Sequence, residues 1–207
     1  MANICTTNII IINKDREVLK ELVNHFTKAQ MSGIKTDYGD AWLGHLYAYL
    51  GMAKEQIDMM PCRGTVYGFE IYSVGNAFHL SMQTSTAWGP MLDPIVAMAE
   101  KFAPGSEVEY AAEEPQMNLF ITNRSELADT VHVSIFEDLP ENLDWLYEVN
   151  EYGCSKEDFL HEVKESMEWG SVRKKDLDDK VHEELGHLFS FNVWVYVPLK
   201  EIMSPVK

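Results

Sequence analysis

The sequence predicts an α+β protein, and three observations predict it. A compact β-branched run fills residues 4–12, apolar residues alternate with polar ones between residues 64 and 86, and elsewhere apolar residues recur at helical spacing. With 207 residues, 46% of them hydrophobic and 24% charged, the chain is long enough for one large or two small domains. Its composition is that of a folding chain rather than a disordered one.

Residues 4–12 (Ile-Cys-Thr-Thr-Asn-Ile-Ile-Ile-Ile) read as a strand buried on both faces. Asn13 or Asp15 can then cap a helix whose Val18, Leu19, Leu22, Val23 and Phe26 share one face. After a Ser32-Gly33 break, Asp40 can cap a second helix with Leu43, Leu46, Tyr47 and Leu50 inward, and a short third helix ends at Pro61. Val66, Phe69, Ile71 and Tyr72, then Phe78, Leu80 and Met82, flank Gly75-Asn76, a hairpin signal. Trp88-Gly89-Pro90 breaks the second strand, and Met91 to Phe102 forms a helix. Further strands are expected at 107–112, 117–122 and 131–136.

A strand, helical crossover, hairpin, helix and returning strand is the split βαβ order of ferredoxin-like folds, an antiparallel sheet with helices on one face. The expected organisation is a ferredoxin-like α+β domain over residues 1–124 and an acidic, mainly helical C-terminal extension over 125–207, able to pack on the same core. In the extension, Ser155 with Asp158 forms a capping box, and Phe159, Leu160, Val163 and Met167 form a buried stripe. Leu177, Val181, Leu185 and Leu188 repeat that pattern, and Phe191, Val193, Val195 and Val197 alternate in a final strand.

The net charge is −16. Residues 1–125 contribute −5, residues 126–168 contribute −11, and the remainder is neutral. Such a surface repels phosphate backbones, so direct nucleic-acid binding is not expected, and a partner with a basic surface is. Cys5, Cys62 and Cys154 are too far apart in sequence for a CxxC unit, which fits reduced thiols and a cytoplasmic location. The longest apolar run near the start is too short to span a membrane, so no membrane association is expected.

Cys62-Arg63-Gly64, Thr84-Ser85-Thr86-Ala87-Trp88-Gly89-Pro90 and Tyr110-Ala111-Ala112-Glu113-Glu114-Pro115, with the opening Met1-Ala2-Asn3 and Cys5, resemble the YubB ferredoxin-like family of plasmid- and phage-borne proteins. The resemblance covers roughly residues 1–123. It departs at Ile4, where the family usually has tryptophan, and at Gln116, where glycine usually follows the Glu-Pro pair. It implies the fold and a mobile-element setting, and no chemistry.

No catalytic residue, metal or cofactor is assigned. His182-Glu183-Glu184-Leu185-Gly186-His187 approaches a zincin helix, but its histidines stand five apart, so they diverge by ~140° around the axis. His161 and Glu165 read as an i,i+4 surface pair. Among the cysteines only Cys62, beside Arg63, has a thiolate-stabilising neighbour. Tyr67, Phe69 and Tyr72 could stack bases on a ferredoxin-like sheet, but they lack a basic fringe and read as core. The Trp88 turn reads as a core tryptophan before a helix, and it is also the leading binding-surface candidate, since that helix's first amides can receive a carboxylate.

The expectation is a non-enzymatic protein-binding module of a mobile genetic element. It would bind through Trp88 or through an acidic surface around Glu162 and Glu165. The alternative is a small hydrolase or transferase with an acid/base site assembled from Arg63, Glu113 and Glu114. A cleft joining those three would favour the alternative, and dispersal would favour the module.

Overall fold

The computed structural model describes residues 3–31 and 39–203; the expected break at Ser32-Gly33 lies outside them. The structure is mixed α and β, with eight strands and eight helices among the described residues. The chain forms two compact units, one comprising the residues up to Arg124 together with the segment from Val197, the other Ser125–Tyr196. No described helix is long and apolar enough to cross a membrane.

In the first unit, β1 (Ile4–Asn13) lies between β3 (Ala77–Ala87) and β4 (Glu107–Glu114). β3 pairs in turn with β2 (Gly64–Val74), and β4 with β5 (Leu119–Thr122). The resulting order is β2-β3-β1-β4-β5, antiparallel at each of these pairings. Helices α1 (Arg16–Gln30), α2 (Gly44–Tyr49) and α3 (Lys54–Ile57) connect β1 to β2, and α4 (Asp93–Phe102) connects β3 to β4. The four strands expected near 4–12, 65–73, 78–86 and 107–112 therefore share one antiparallel sheet.

The strand pattern explains the core. Cys5, Thr7, Ile9 and Ile11 are buried, while Ile4 and Asn8 are exposed and Ile10 and Ile12 half-buried, so β1 is fully buried on one face rather than two. Its inward residues meet Leu80, Met82 and Tyr110 and the helix residues Leu19, Leu22, Phe26, Leu46, Ile95 and Met98 in one core. α1 and α4 meet through His25 stacked on Phe102, 3.7 Å between ring centres. The α1 cap is Asp15, whose carboxylate accepts from Glu17 N at 2.9 Å, and Asn13 Oδ1 accepts from Asp15 N. Asp40 caps nothing with its side chain: α2 begins four residues later, and the Asp40 carbonyl is instead held by His45 Nδ1 at 2.8 Å.

β2 carries a bulge between Tyr67 and Glu70. Gly68, at φ 76°, supplies the left-handed conformation that this kind of bulge needs. One extra residue changes which parity of positions faces inward, from Val66 before it to Phe69 and Ile71 after it. That is why the apolar spacing in this strand is three at one place and two elsewhere. Phe69 consequently stacks on Phe26 at 5.3 Å.

In the second unit, β6 (Val131–Ile135) pairs with β7 (Phe189–Val193), Val133 opposite Phe191. Helices α5 (Leu146–Tyr152), α6 (Lys156–Ser166) and α7 (Leu177–Leu185) build its core. A two-stranded ribbon is marginal by itself, and Phe159 of α6 stabilises this one, touching the rings of Trp145, Phe189 and Phe191 at 4.8–6.3 Å. The expected closing strand is interrupted at Trp194, whose N–H donates to Thr130 O and whose carbonyl accepts from Asp129 N. A two-residue strand, β8 (Val195–Tyr196), follows. The chain then rejoins the first unit: Val197 N donates to Thr122 O, its carbonyl accepts from Tyr110 Oη at 2.7 Å, and α8 (Leu199–Ile202) lays Leu199, Ile202 and Met203 on the first core.

Backbone groups at the strand edges are closed by side-chain amides. Asn150 accepts from Val133 N and donates to Val133 O, both at 2.8 Å. Asn123 does the same for Tyr110 N and Val108 O, and Gln30 Nε2 donates to Val66 O. Each amide imitates a neighbouring strand and meets backbone groups that would otherwise lose a partner.

Candidate functional site

Two surfaces carry the residues singled out from sequence. The first is the end of the large sheet where β3 turns toward α4. Trp88 is 51% exposed and sits at φ 74°, a conformation in which a bulky side chain crowds its own backbone. It is not a core residue. The corner is pinned by three hydrogen bonds: Trp88 N donates to Asn3 O at 2.9 Å, and Thr86 Oγ1 donates to Gly89 O at 2.7 Å and to Cys5 O at 3.3 Å. The helix that follows starts at Asp93 with Pro94 in its first turn, so Pro90 belongs to the turn and the first amides of α4 do not sit at Trp88.

Beside this corner an open hollow of about 240 Å³ is lined by Ile4, Arg63, Thr65, Ser85 and Ala87 among others. Ile4 is exposed, and the Arg63 side chain makes no ion pair among the described residues. Gly64 is required by close approach: a Cβ there would lie 2.5 Å from Ser85 O. The Arg63 carbonyl accepts from Ala87 N at 2.9 Å, which fixes the rim.

Glu113 and Glu114 do not join Arg63. Glu113 stands opposite Thr6 on β1, and strands β1 and β3 separate β4 from β2, a span of ~14 Å at ordinary strand spacing. Glu114, the next residue, points to the other face and is buried. Its carboxylate accepts from Met117 N and caps the single 3₁₀ turn Pro115–Met117. The Glu-Glu-Pro motif is therefore a turn built on a buried cap. Arg63, Glu113 and Glu114 are dispersed over two faces.

The second surface is α6. Ser155 Oγ accepts from Asp158 N at 3.1 Å and donates to the Asp158 carboxylate at 2.7 Å, closing the N-terminus. Phe159, Leu160 and Val163 turn inward. Glu157, Asp158, Glu162, Glu165 and Glu168 are exposed. Glu157 is met by Lys174 at 2.7 Å, but Glu162 and Glu165 have no cation within ion-pair distance among the described residues. His161 is exposed on the same helix and lines a hollow of about 280 Å³ with Glu157, Lys164 and Lys174.

The other motifs have structural explanations. α7 ends at Leu185, and His182 stacks on Phe191 at 5.7 Å. Gly186 holds the position a zincin histidine would need, and a Cβ there would meet His182 O at 2.4 Å. Among the described residues no three His, Cys, Asp or Glu side chains are grouped to hold a metal. Cys62 is buried, and its thiol is pushed up first by burial and then by Asp58, so Arg63 does not make it a thiolate. Burial likewise raises Cys5 and Cys154, with Asp158 and Glu162 adding at Cys154.

Tyr67 and Tyr72 are 40% and 38% exposed on the open face of the sheet, whereas Phe69 is core; the bulge at Gly68 separates them. Tyr67 Oη pairs with Ser85 Oγ at 3.1 Å, Gln83 Nε2 donates to Asn8 Oδ1 at 2.7 Å, and the Tyr72 ring tilts against His79. On the β4 side of the same face stand Glu109 and Glu113, the former 3.8 Å from Arg124. Reading all three aromatics as core missed the bulge, whose only sequence signal is the three-residue apolar spacing across Gly68.

In comparisons with known proteins, no family model, no curated protein and no solved structure matches this chain.

Proposed function

We propose that this protein is a non-enzymatic protein-binding module, an accessory protein of a mobile genetic element, and that its first unit is a ferredoxin-like domain. The antiparallel order β2-β3-β1-β4, with α1 and α4 in the two crossovers, supports the domain reading. The resemblance to the YubB family supports the setting. The dispersal of Arg63, Glu113 and Glu114 leaves the hydrolase or transferase alternative without an assembled acid/base site in those residues.

Trp88 carries the functional reading. A half-exposed tryptophan in a left-handed backbone conformation contributes strain and little burial, and such strain persists where the side chain serves something outside the fold. Tryptophan is also the side chain most enriched among residues that dominate interfaces. With Ile4 and Arg63 beside it, the corner suits a protein segment that offers an apolar side chain and an acceptor. A second reading is favoured by Glu162 and Glu165, exposed and without a cation among the described residues, which suit a basic protein surface. Direct nucleic-acid binding is disfavoured by Glu109 and Glu113 on the open sheet face.

Affinity capture from the native host with three baits separates these readings: the unchanged chain, Trp88→Ala, and Glu162→Gln with Glu165→Gln. For a captured partner, Trp88→Ala should weaken binding by about 30-fold or more with little salt dependence. A partner lost only with the glutamine pair, and falling steeply with salt, establishes the second reading. A partner indifferent to all of these changes sinks both.

A further inference from the structure

We propose that the chain pairs with a second copy of itself along the outer edge of β2, from Gly68 to Val74. β2 is an edge strand of its sheet. Val74 and Ala77 flank the two-residue turn as a ladder pair, so alternation points the backbone groups of Tyr72 and Glu70 toward β3 and those of Ile71 and Ser73 away from it. On the far side of the bulge the outward groups are occupied: Val66 N donates to Ala41 O, Gln30 Nε2 donates to Val66 O, and Gly64 O accepts from Leu43 N. Among the described residues nothing bonds to the outward N–H and C=O of Ile71 and Ser73. This fold closes edge backbone with Gln30, Asn123 and Asn150, and among the described residues leaves this stretch open. It is rich in β-branched and aromatic residues, which favours strand addition.

Charge selects the occupant. Residues 64–92 contain one charged side chain, Glu70, in a chain of 33 acids and 17 bases. Two molecules of charge −16 repel one another elsewhere, and this hairpin is where they can approach. An antiparallel pairing with its two-fold axis at Ile71 places Glu70 across from the partner's Tyr72, not across from another carboxylate. On the helix side it sets Ile71 against the partner's Ile71 and Phe69 against the partner's Ser73. The edge is self-complementary in that register, and a closed two-fold pair leaves neither copy's stretch open.

Sedimentation equilibrium of the full chain from about 5 μM to about 500 μM should show the mass rising from that of the monomer toward twice it, as a weak edge contact fills by mass action. Ser73→Pro removes an outward donor and no β2–β3 bond, and should hold the chain at the 23.7 kDa monomer. The register gives an independent readout. Tyr72→Lys sets two cations against the two Glu70 carboxylates and should tighten the dimer, while Tyr72→Glu should loosen it, each by about fivefold. A single monomer mass over the whole range overturns the proposal. So does a dimer that ignores Ser73→Pro, or that responds alike to both Tyr72 changes.

Discussion

The two units solve the same problem with different means. The first spreads its core over five strands and the helices that face them, and its hairpin surface is almost uncharged. The second has a two-stranded ribbon, and its aromatic core gathers around Phe159, with an acidic helix outside. Where a sheet is broad, many residues share the load and an exposed tryptophan is tolerated. Where the sheet is a ribbon, a central aromatic ring and an edge amide help to hold it, and the charge is kept on the outer face of a helix.

Phe159→Ala breaks the comparison hardest. It should cost about 3–5 kcal/mol in urea unfolding and accelerate hydrogen exchange at Val133 and Phe191, because the emptied volume borders three other rings. A loss below ~1 kcal/mol would mean the ribbon does not lean on that ring. Asn150→Ala comes next at about 1–3 kcal/mol, since both backbone groups of Val133 lose their partner. Asn123→Ala removes the equivalent pair in the broad sheet and should cost less, a difference the same denaturation curves measure directly.

Tyr47→Phe tests the broad core in the opposite direction. The Tyr47 hydroxyl is buried and has no hydrogen-bond partner among the described residues, and its pKa is pushed up by burial first, then by Asp93 and Cys62. The phenol is neutral when protonated, so the unfolded chain loses this proton first as pH rises. Stability is therefore complete below the unfolded value of about 10 and declines above it, toward the folded value. Removing the hydroxyl should gain about 1 kcal/mol at neutral pH and flatten the fall in melting temperature above pH ~10. An unchanged alkaline profile would show that the hydroxyl is solvated. The smallest effect is at Glu162→Gln, which relieves the like-charge pair with Asp158 one turn earlier and should stabilise α6 by ~0.2–0.5 kcal/mol, an amount that salt should erase.

Much of the first unit is legible in local pattern. Val18, Leu19, Leu22 and Phe26 mark α1, and Gly75-Asn76 between alternating runs marks the hairpin, because these features depend on spacing alone. The pairing of Val131–Ile135 with Phe189–Val193 is not legible in that way: the partners are more than fifty residues apart, and no periodicity records which strand a strand will find. Trp88 misleads for another reason. Its residue type says core, and the left-handed backbone that turns it outward is imposed by Asn3 and Thr86, not by any signal at position 88. Arg63, Glu113 and Glu114 look like a set in the sequence, but two strands run between the arginine and the pair, and adjacent strand residues face opposite ways. Glu162 and Glu165 are legible as outward or flanking because helix spacing alone turns Glu165 well away from Phe159 and Val163 and sets Glu162 at the border of that stripe.

The return of Val197 to Thr122 and Tyr110 bears on how the molecule is made. During synthesis the first 124 residues leave the ribosome before the stretch that supplies Leu199, Ile202 and Met203 to their core. All of Ser125–Tyr196 emerges in between. Chains fold by units as they emerge, so the inserted unit can close while its host still waits for its last strip of apolar surface, and the host is completed second although it was begun first.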